Sequence, residues 1–189
     1  MTNHYLSREL VHAWSEEIGA DMERQASLHR LLKSQRRLSR FIEENAGQLD
    51  PSSGGVCMYL IGVIAALFDR AGGRLKSATW DQVRAAEKRV QGAVSDLLPL
   101  DDDLPARARD VAWRAQPHIL DEAIMALFEV DASAAEEVSL TPVESLKIYL
   151  LLWVATEVLD GNWSPPSTFE GEASYTHVHI DPPKVDDKD

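Results

Sequence analysis

Apolar residues recur along most of this chain at steps of three and four, and period-two alternation is scarce, so the pattern predicts helices throughout. The first long segment spans Leu6 to Glu44, where Leu10, Trp14, Ile18, Met22, Leu28, Leu31, Leu38 and Ile42 form a stripe and Gly19 is the candidate kink. Within it, Leu28, Leu31, Gln35, Leu38 and Ile42 follow steps near 3.5, a short coiled-coil-like seam. Gly47 and the run Asp50-Pro51-Ser52-Ser53-Gly54-Gly55 read as a loop. A second helix over Val56 to Ala71 is apolar nearly all round, which places it at the centre of the fold. Gly72 and Gly73 supply its stop.

A third helix begins at the candidate cap Thr79 and runs to Pro99 through Val83, Ala86, Val90, Val94 and Leu97. A short one covers Pro105 to Ala115, and Pro117 suits the first turn of another reaching Val130. Residues 131–140 read as a loop. Thr141, Pro142 and Glu144 then make a capping box for a last helix to Leu159, with Gly161 as its end. From Ser164 the composition shifts to prolines and charge. The expected architecture is therefore all-α: one helical domain over residues 1–163, a bundle of six to seven helices built around segments 56–71, 117–130 and 141–160. A Pro-rich, extended acidic tail over 164–189 follows, with Tyr175 to Ile180 as a candidate strand. A shift of sixty residues matches Leu60, Ile64, Ala66, Leu67 and Phe68 to Leu120, Ile124, Ala126, Leu127 and Phe128. Shared composition of buried helices accounts for these matches more simply than duplication does.

Composition narrows the functional classes. The chain has 189 residues, 44% hydrophobic and 26% charged, ordinary values for a folded protein. Its single cysteine, Cys57, excludes an internal disulfide and any multi-cysteine zinc module. The longest charge-free apolar run, Val56 to Phe68, is short of the ~20 residues a spanning helix needs. No apolar core near the N-terminus reads as a secretory signal, so a cytoplasmic location without membrane is expected. The net charge of −12 disfavours nucleic acid as a partner. That charge is uneven: residues 1–100 carry 13 basic and 12 acidic side chains, and the remainder carries 6 and 19. From Arg24 to Ile42 there is no acid. Arg30, Lys33, Arg37 and Arg40 are spaced to share one helix face, a candidate ligand or anion site. As a solvated face, it could equally pair with the acidic half of the same chain or of a second copy.

Candidate chemistry is sparse. His177, His179 and Asp181 stand at i, i+2 and i+4, which on an extended segment puts three metal-ligand types on one face. Glu9 and His12 form a single E-x-x-H; di-metal carboxylate bundles use that pair twice, and no second copy exists here. His118 and Glu122 could share a helical turn. Glu157 lies on a strongly apolar helix, where burial would demand a partner, although a position near the helix end suggests solvent exposure. Cys57 near a helix start reads as a buried structural cysteine. No complete catalytic constellation and no cofactor motif is present, which leaves enzyme activity open.

The leading expectation is a non-catalytic helical interaction protein that self-associates, as a dimer, through its long N-terminal helix. The alternative is a small-ligand or metal-binding protein or enzyme with its site between helices. Third comes anion or nucleic-acid binding through the basic face of residues 24–40.

Overall fold

In the computed structural model, which describes residues 4–20, 23–129, 140–169 and 172–173, the first periodic segment is divided into three helices rather than one. After a two-residue strand β1 (His4–Tyr5) come α1 (Arg8–Ala20), α2 (Glu23–Ser34) and α3 (Arg36–Ala46). Gln35 makes the second break. Its backbone leaves helical geometry (φ −106°, ψ 52°) while its side chain is buried. The Gln35 Nε2 donates to the Lys76 carbonyl at 3.0 Å, and its Oε1 accepts the Ala78 N–H at 2.9 Å. A polar residue in an apolar seam is thus a joint, clasping a distant loop and satisfying its own buried amide.

The division corrects the single-helix expectation and relocates the seam. Leu31, Leu38 and Ile42 are buried and Leu28 is half-buried, all inside one chain, with α2 lying along the next helix, α4 (Pro51–Ala71). The helix α4 also begins earlier than composition suggests. Asp50 caps it, accepting from the Ser52 and Ser53 N–H groups at 2.9 and 3.2 Å, with Pro51 in the first helical position. The Ser-Ser-Gly-Gly run is therefore helix, not loop. Glycine's helical cost, about 1 kcal/mol each, is offset by this cap and by the contact of Ser53 Oγ with Glu144 Oε1 at 3.2 Å.

Strand β2 (Arg74–Leu75) follows, then α5 (Trp80–Gly92), α6 (Val94–Leu97), α7 (Leu104–Asp110), α8 (Pro117–Phe128) and α9 (Pro142–Asn162). Thr79 with Gln82, and Thr141 with Glu144, form the capping boxes that start α5 and α9, as their spacing predicts for α9. Strand β3 (Trp163–Ser164) pairs antiparallel with β2, and β4 (Glu172–Ala173) with β1. Among the described residues, those after Ser164 thus fold back on the bundle, where Phe169 meets Trp163 edge-on. The expected strand over Tyr175 to Ile180 lies outside the described residues.

The centre of the fold is α9, not the helix over 56–71. From Leu151 to Leu159 every residue of α9 is buried, and α3, α4, α5 and α8 all pack on it. By contrast, α4 keeps a solvent-facing side. Of the sixty-residue matches, Ile64 with Ile124 and Leu67 with Leu127 are buried at both places, whereas Ala66 is buried and Ala126 exposed.

At Gly73 the backbone has φ +84°, and a β-carbon there would collide with the Ser164 carbonyl oxygen across the β2–β3 pair. Gly73→Ala is expected to lower stability by at least ~1–2 kcal/mol, the cost of left-handed backbone plus the clash, measured by urea unfolding.

Candidate functional site

The densest group of buried polar side chains gathers around Glu157. On α9, the residues Trp153, Glu157 and Asp160 share one helical face through their i, i+4, i+7 spacing. The segment 111–116, between α7 and α8, lies against that face. Glu157 is 7% exposed, contrary to the expectation of a solvent-facing position. Its Oε1 accepts the Ala115 N–H at 2.8 Å and the Trp153 Nε1–H at 3.2 Å, and its Oε2 pairs with Arg89 from α5. The Arg89 guanidinium stands 5.6 Å from the Trp113 ring centroid, and Trp113 stacks on Trp153 at 4.9 Å. A buried carboxylate is thus held by one cation and two N–H donors, the condition for keeping a charge in an apolar helix bundle.

Alongside, Gln116 adopts the left-handed conformation (φ 44°) at the start of α8. Three hydrogen bonds hold it there. Its Oε1 accepts the Leu6 N–H at 2.9 Å, and its Nε2 donates to the His4 carbonyl at 2.8 Å and to Asp160 Oδ1 at 2.7 Å. Burial raises the pKa of Asp160 above its ordinary 3.8; the Gln116 hydrogen bond opposes that and the Glu157 charge adds to it. Farther along, Arg114 is 4% exposed; its Nη1 donates to Asp121 Oδ1 at 2.9 Å and its Nη2 to the Arg109 carbonyl at 3.1 Å. Arg109 grips Glu129 with both terminal nitrogens, at 2.7 and 2.8 Å, which holds Glu129 below the usual carboxylate range.

This cluster has chemistry-bearing side chains, but its polar atoms face each other. It ties the α7–α8 connection and β1 to α9. Cys57 is fully buried, and burial pushes its thiol up to about 12, so it holds no thiolate at neutral pH.

The sequence-stated candidates distribute as follows. Arg30 and Lys33 lie on α2, Arg37 and Arg40 on α3, so the Gln35 break divides the expected single helix face. Arg30 donates to Asp69 Oδ2 from Nε and Nη2, at 3.2 and 2.8 Å, and Arg40 Nε donates to Glu44 Oε1 at 2.7 Å. Of the four, Lys33 alone borders the same cleft as Arg30. His177, His179 and Asp181 lie outside the described residues. His12 meets Glu122 at 3.1 Å across α1 and α8, and Glu9 is exposed, so the E-x-x-H pair does not point into the core. Among the described residues, no three or more His, Cys, Asp or Glu side chains stand together as a metal site would require. Reading the sequence missed Arg89, Arg114, Gln116 and Asp160. The polar positions Glu157 and Asp160 on an otherwise apolar α9 were the available signal; their partners on α5 and the 111–116 segment carried none.

Several clefts open between the helices, among them one of about 430 Å³ lined by Asp101, Leu104, Phe128 and Ser145. One of about 290 Å³ lies between α3, α5 and α9 beside Asn45, Glu87 and Lys147. One of about 230 Å³ runs between α1, α4 and α8. One of about 450 Å³ lies between α2, α4 and β2. Comparison of the chain with family models, with curated proteins and with solved structures returns no match.

Two substitutions separate the contributions at Glu157 and Asp160. Glu157→Ala leaves the buried Ala115 and Trp153 N–H groups without an acceptor and should cost ~3 kcal/mol in denaturant unfolding; Arg89→Ala leaves the buried Glu157 carboxylate without its cation and should cost a similar ~3 kcal/mol. Asp160 has a folded pKa above its unfolded value, so its contribution destabilises progressively as pH rises through that interval and vanishes below it. Asp160→Asn keeps the acceptor for Gln116. Its melting temperature is expected to exceed the parent's at pH 7 and to match it at pH 3.

Proposed function

We propose that this chain is a cytoplasmic, non-catalytic helical interaction protein that pairs with a second copy of itself, and that the contact falls on the outer face of α4. One observation carries the reading. Ser52, Gly55, Val56, Tyr59, Leu60 and Val63 are exposed or half-buried on one side of α4, and no charged residue occurs anywhere in α4 before Asp69. Tyr59 is 40% exposed, and the α8 residues Glu122 and Ala126 line the neighbouring groove with it. A face to which α4 contributes no charge, on a chain of −12, is where a second, equally acidic copy meets least repulsion.

The rim favours a copy of the same chain. Glu16 and Glu122 border the groove on α1 and α8, while Arg24 sits 4.0 Å over the Tyr59 ring and Arg70 pairs with Glu17. A rim with both signs is self-complementary in a two-fold contact. The seam over Leu28 to Ile42 is spent on packing within one chain, which leaves α4 as the face for pairing. The same helix, Pro51–Ala71, is the one among the described residues long and apolar enough to cross a membrane, and half of that stretch is buried inside the protein.

A contact of six residues on α4 and their α8 neighbours is smaller than the ~800 Å² per partner of a stable complex, so the dimer should be weak and concentration-dependent. Light scattering is expected to show mass rising toward twice one chain with concentration. Tyr59→Glu with Val63→Glu should hold it at one chain, and Lys33→Glu with Arg37→Glu should leave the association unchanged. A mass fixed at one chain at all concentrations overturns the reading. So does an association abolished by the α2–α3 pair alone, or flotation of the unaltered protein with lipid vesicles.

A further inference from the structure

The cleft between α2, α4 and β2 has an apolar floor and a cationic mouth. Leu31, Ala65, Phe68 and Leu75 form the floor. Its volume, about 450 Å³, falls within the ~300–1,000 Å³ typical of small-molecule sites. At the mouth, Arg30 is fixed from two helices: Asp69 on α4 accepts from its Nε and Nη2, and Ser27 Oγ accepts from the same Nη2 at 2.9 Å. Ser27 is 1% exposed, so a buried hydroxyl lines the cleft at its inner end. Lys33, one helical turn further along α2, makes no hydrogen bond or ion pair with any described residue. Asp69 offsets Arg30, which leaves the Lys33 ammonium as the uncompensated charge of the lining.

We infer that this cleft binds a small amphipathic monoanion, an aliphatic carboxylate, with its hydrocarbon on Phe68 and Leu75 and its carboxylate at Lys33 and the outer edge of Arg30. The argument is one of matching. A single uncompensated cation suits a single negative charge, and a polyanion such as a nucleotide would find too few cations. A purely apolar ligand would leave the Lys33 ammonium unused. The chain's overall negative charge does not forbid this, because repulsion from charges beyond ~8 Å is largely screened at physiological salt. Positions 65 and 68, in the cleft floor, fall on the far side of α4 from Tyr59 and Val63, so the floor is separate from the proposed pairing face.

A reporter is built in. Phe68 meets Trp163 edge-on at 5.5 Å, and Leu75 is the strand partner of Trp163. Octanoate titrated into the full chain is expected to change tryptophan emission saturably, with matching heat in calorimetry. Trp163→Phe should remove the optical signal and keep the heat. Lys33→Gln, at an exposed position that folding tolerates, should weaken octanoate at least tenfold. Arg37→Gln, outside the cleft, should not weaken it, and methyl octanoate, the uncharged twin, should bind at least tenfold more weakly than octanoate. The inference is overturned if octanoate gives no saturable signal or heat. Equal affinity of the parent and Lys33→Gln, equal affinity for the ester, or a response to phosphatidylglycerol vesicles but not to free octanoate overturns it as well.

Discussion

A helix packed by neighbours on every side can carry a carboxylate only if the surrounding chain delivers a cation and hydrogen-bond donors to it. In α9 that requirement falls on Glu157, and the answer arrives from two separate places: Arg89 on α5, and the Ala115 N–H between α7 and α8. Because a backbone N–H is one of the donors, the tie fixes main chain as well as side chains. The route of the chain from α7 into α8, the left-handed turn at Gln116 and the docking of β1 through His4 and Leu6 all follow from holding that segment against α9. Desolvation makes the arrangement strict, since any member left unpaired costs more than the bond it would have made.

The same economy separates polar residues that build the fold from those free to meet something else. Around α9 three ion pairs neutralise charge, Arg89 with Glu157, Arg114 with Asp121 and Arg109 with Glu129, while Asp160 is held by the neutral Gln116 amide. Away from it, α4 shows two unlike surfaces. On one side α4 itself contributes no charge and its part-exposed Tyr59 lies under the Arg24 guanidinium; the other forms the floor of a cleft whose mouth holds Lys33. Polar groups at the centre are engaged mainly with one another and those on the periphery are open to solvent, which is what gives the interaction and ligand readings their location.

Helix caps were the most legible feature of the sequence. Thr141-Pro142-Val143-Glu144 gives the start of α9 to the residue, because a capping box needs only four neighbours in sequence. The start of α4 was misread for the opposite reason: Ser-Ser-Gly-Gly favours a loop locally, and the Asp50 cap together with Glu144, ninety-one residues away, overrides it. Gln35 is the sharper case. At 3.5-residue spacing it looks like a polar position in a coiled-coil seam, yet its bonds to Lys76 and Ala78 make it the joint between two helices.

By itself, the sequence determined the helical class, the capped ends of α5 and α9, the inward direction of Leu31, Leu38 and Ile42, and the excess of acid in the second half. Each rests on residues within a few positions of one another, where periodicity and capping act. Only the tertiary structure decided that α9 and not α4 is central, that Glu157 is buried and bound, and that the row of basic residues splits at Gln35, placing Arg30 and Lys33 at one cleft. Those outcomes depend on which surfaces meet across intervals of forty residues and more. Burial and hydrogen-bond satisfaction are settled there by the partner, which local pattern does not name.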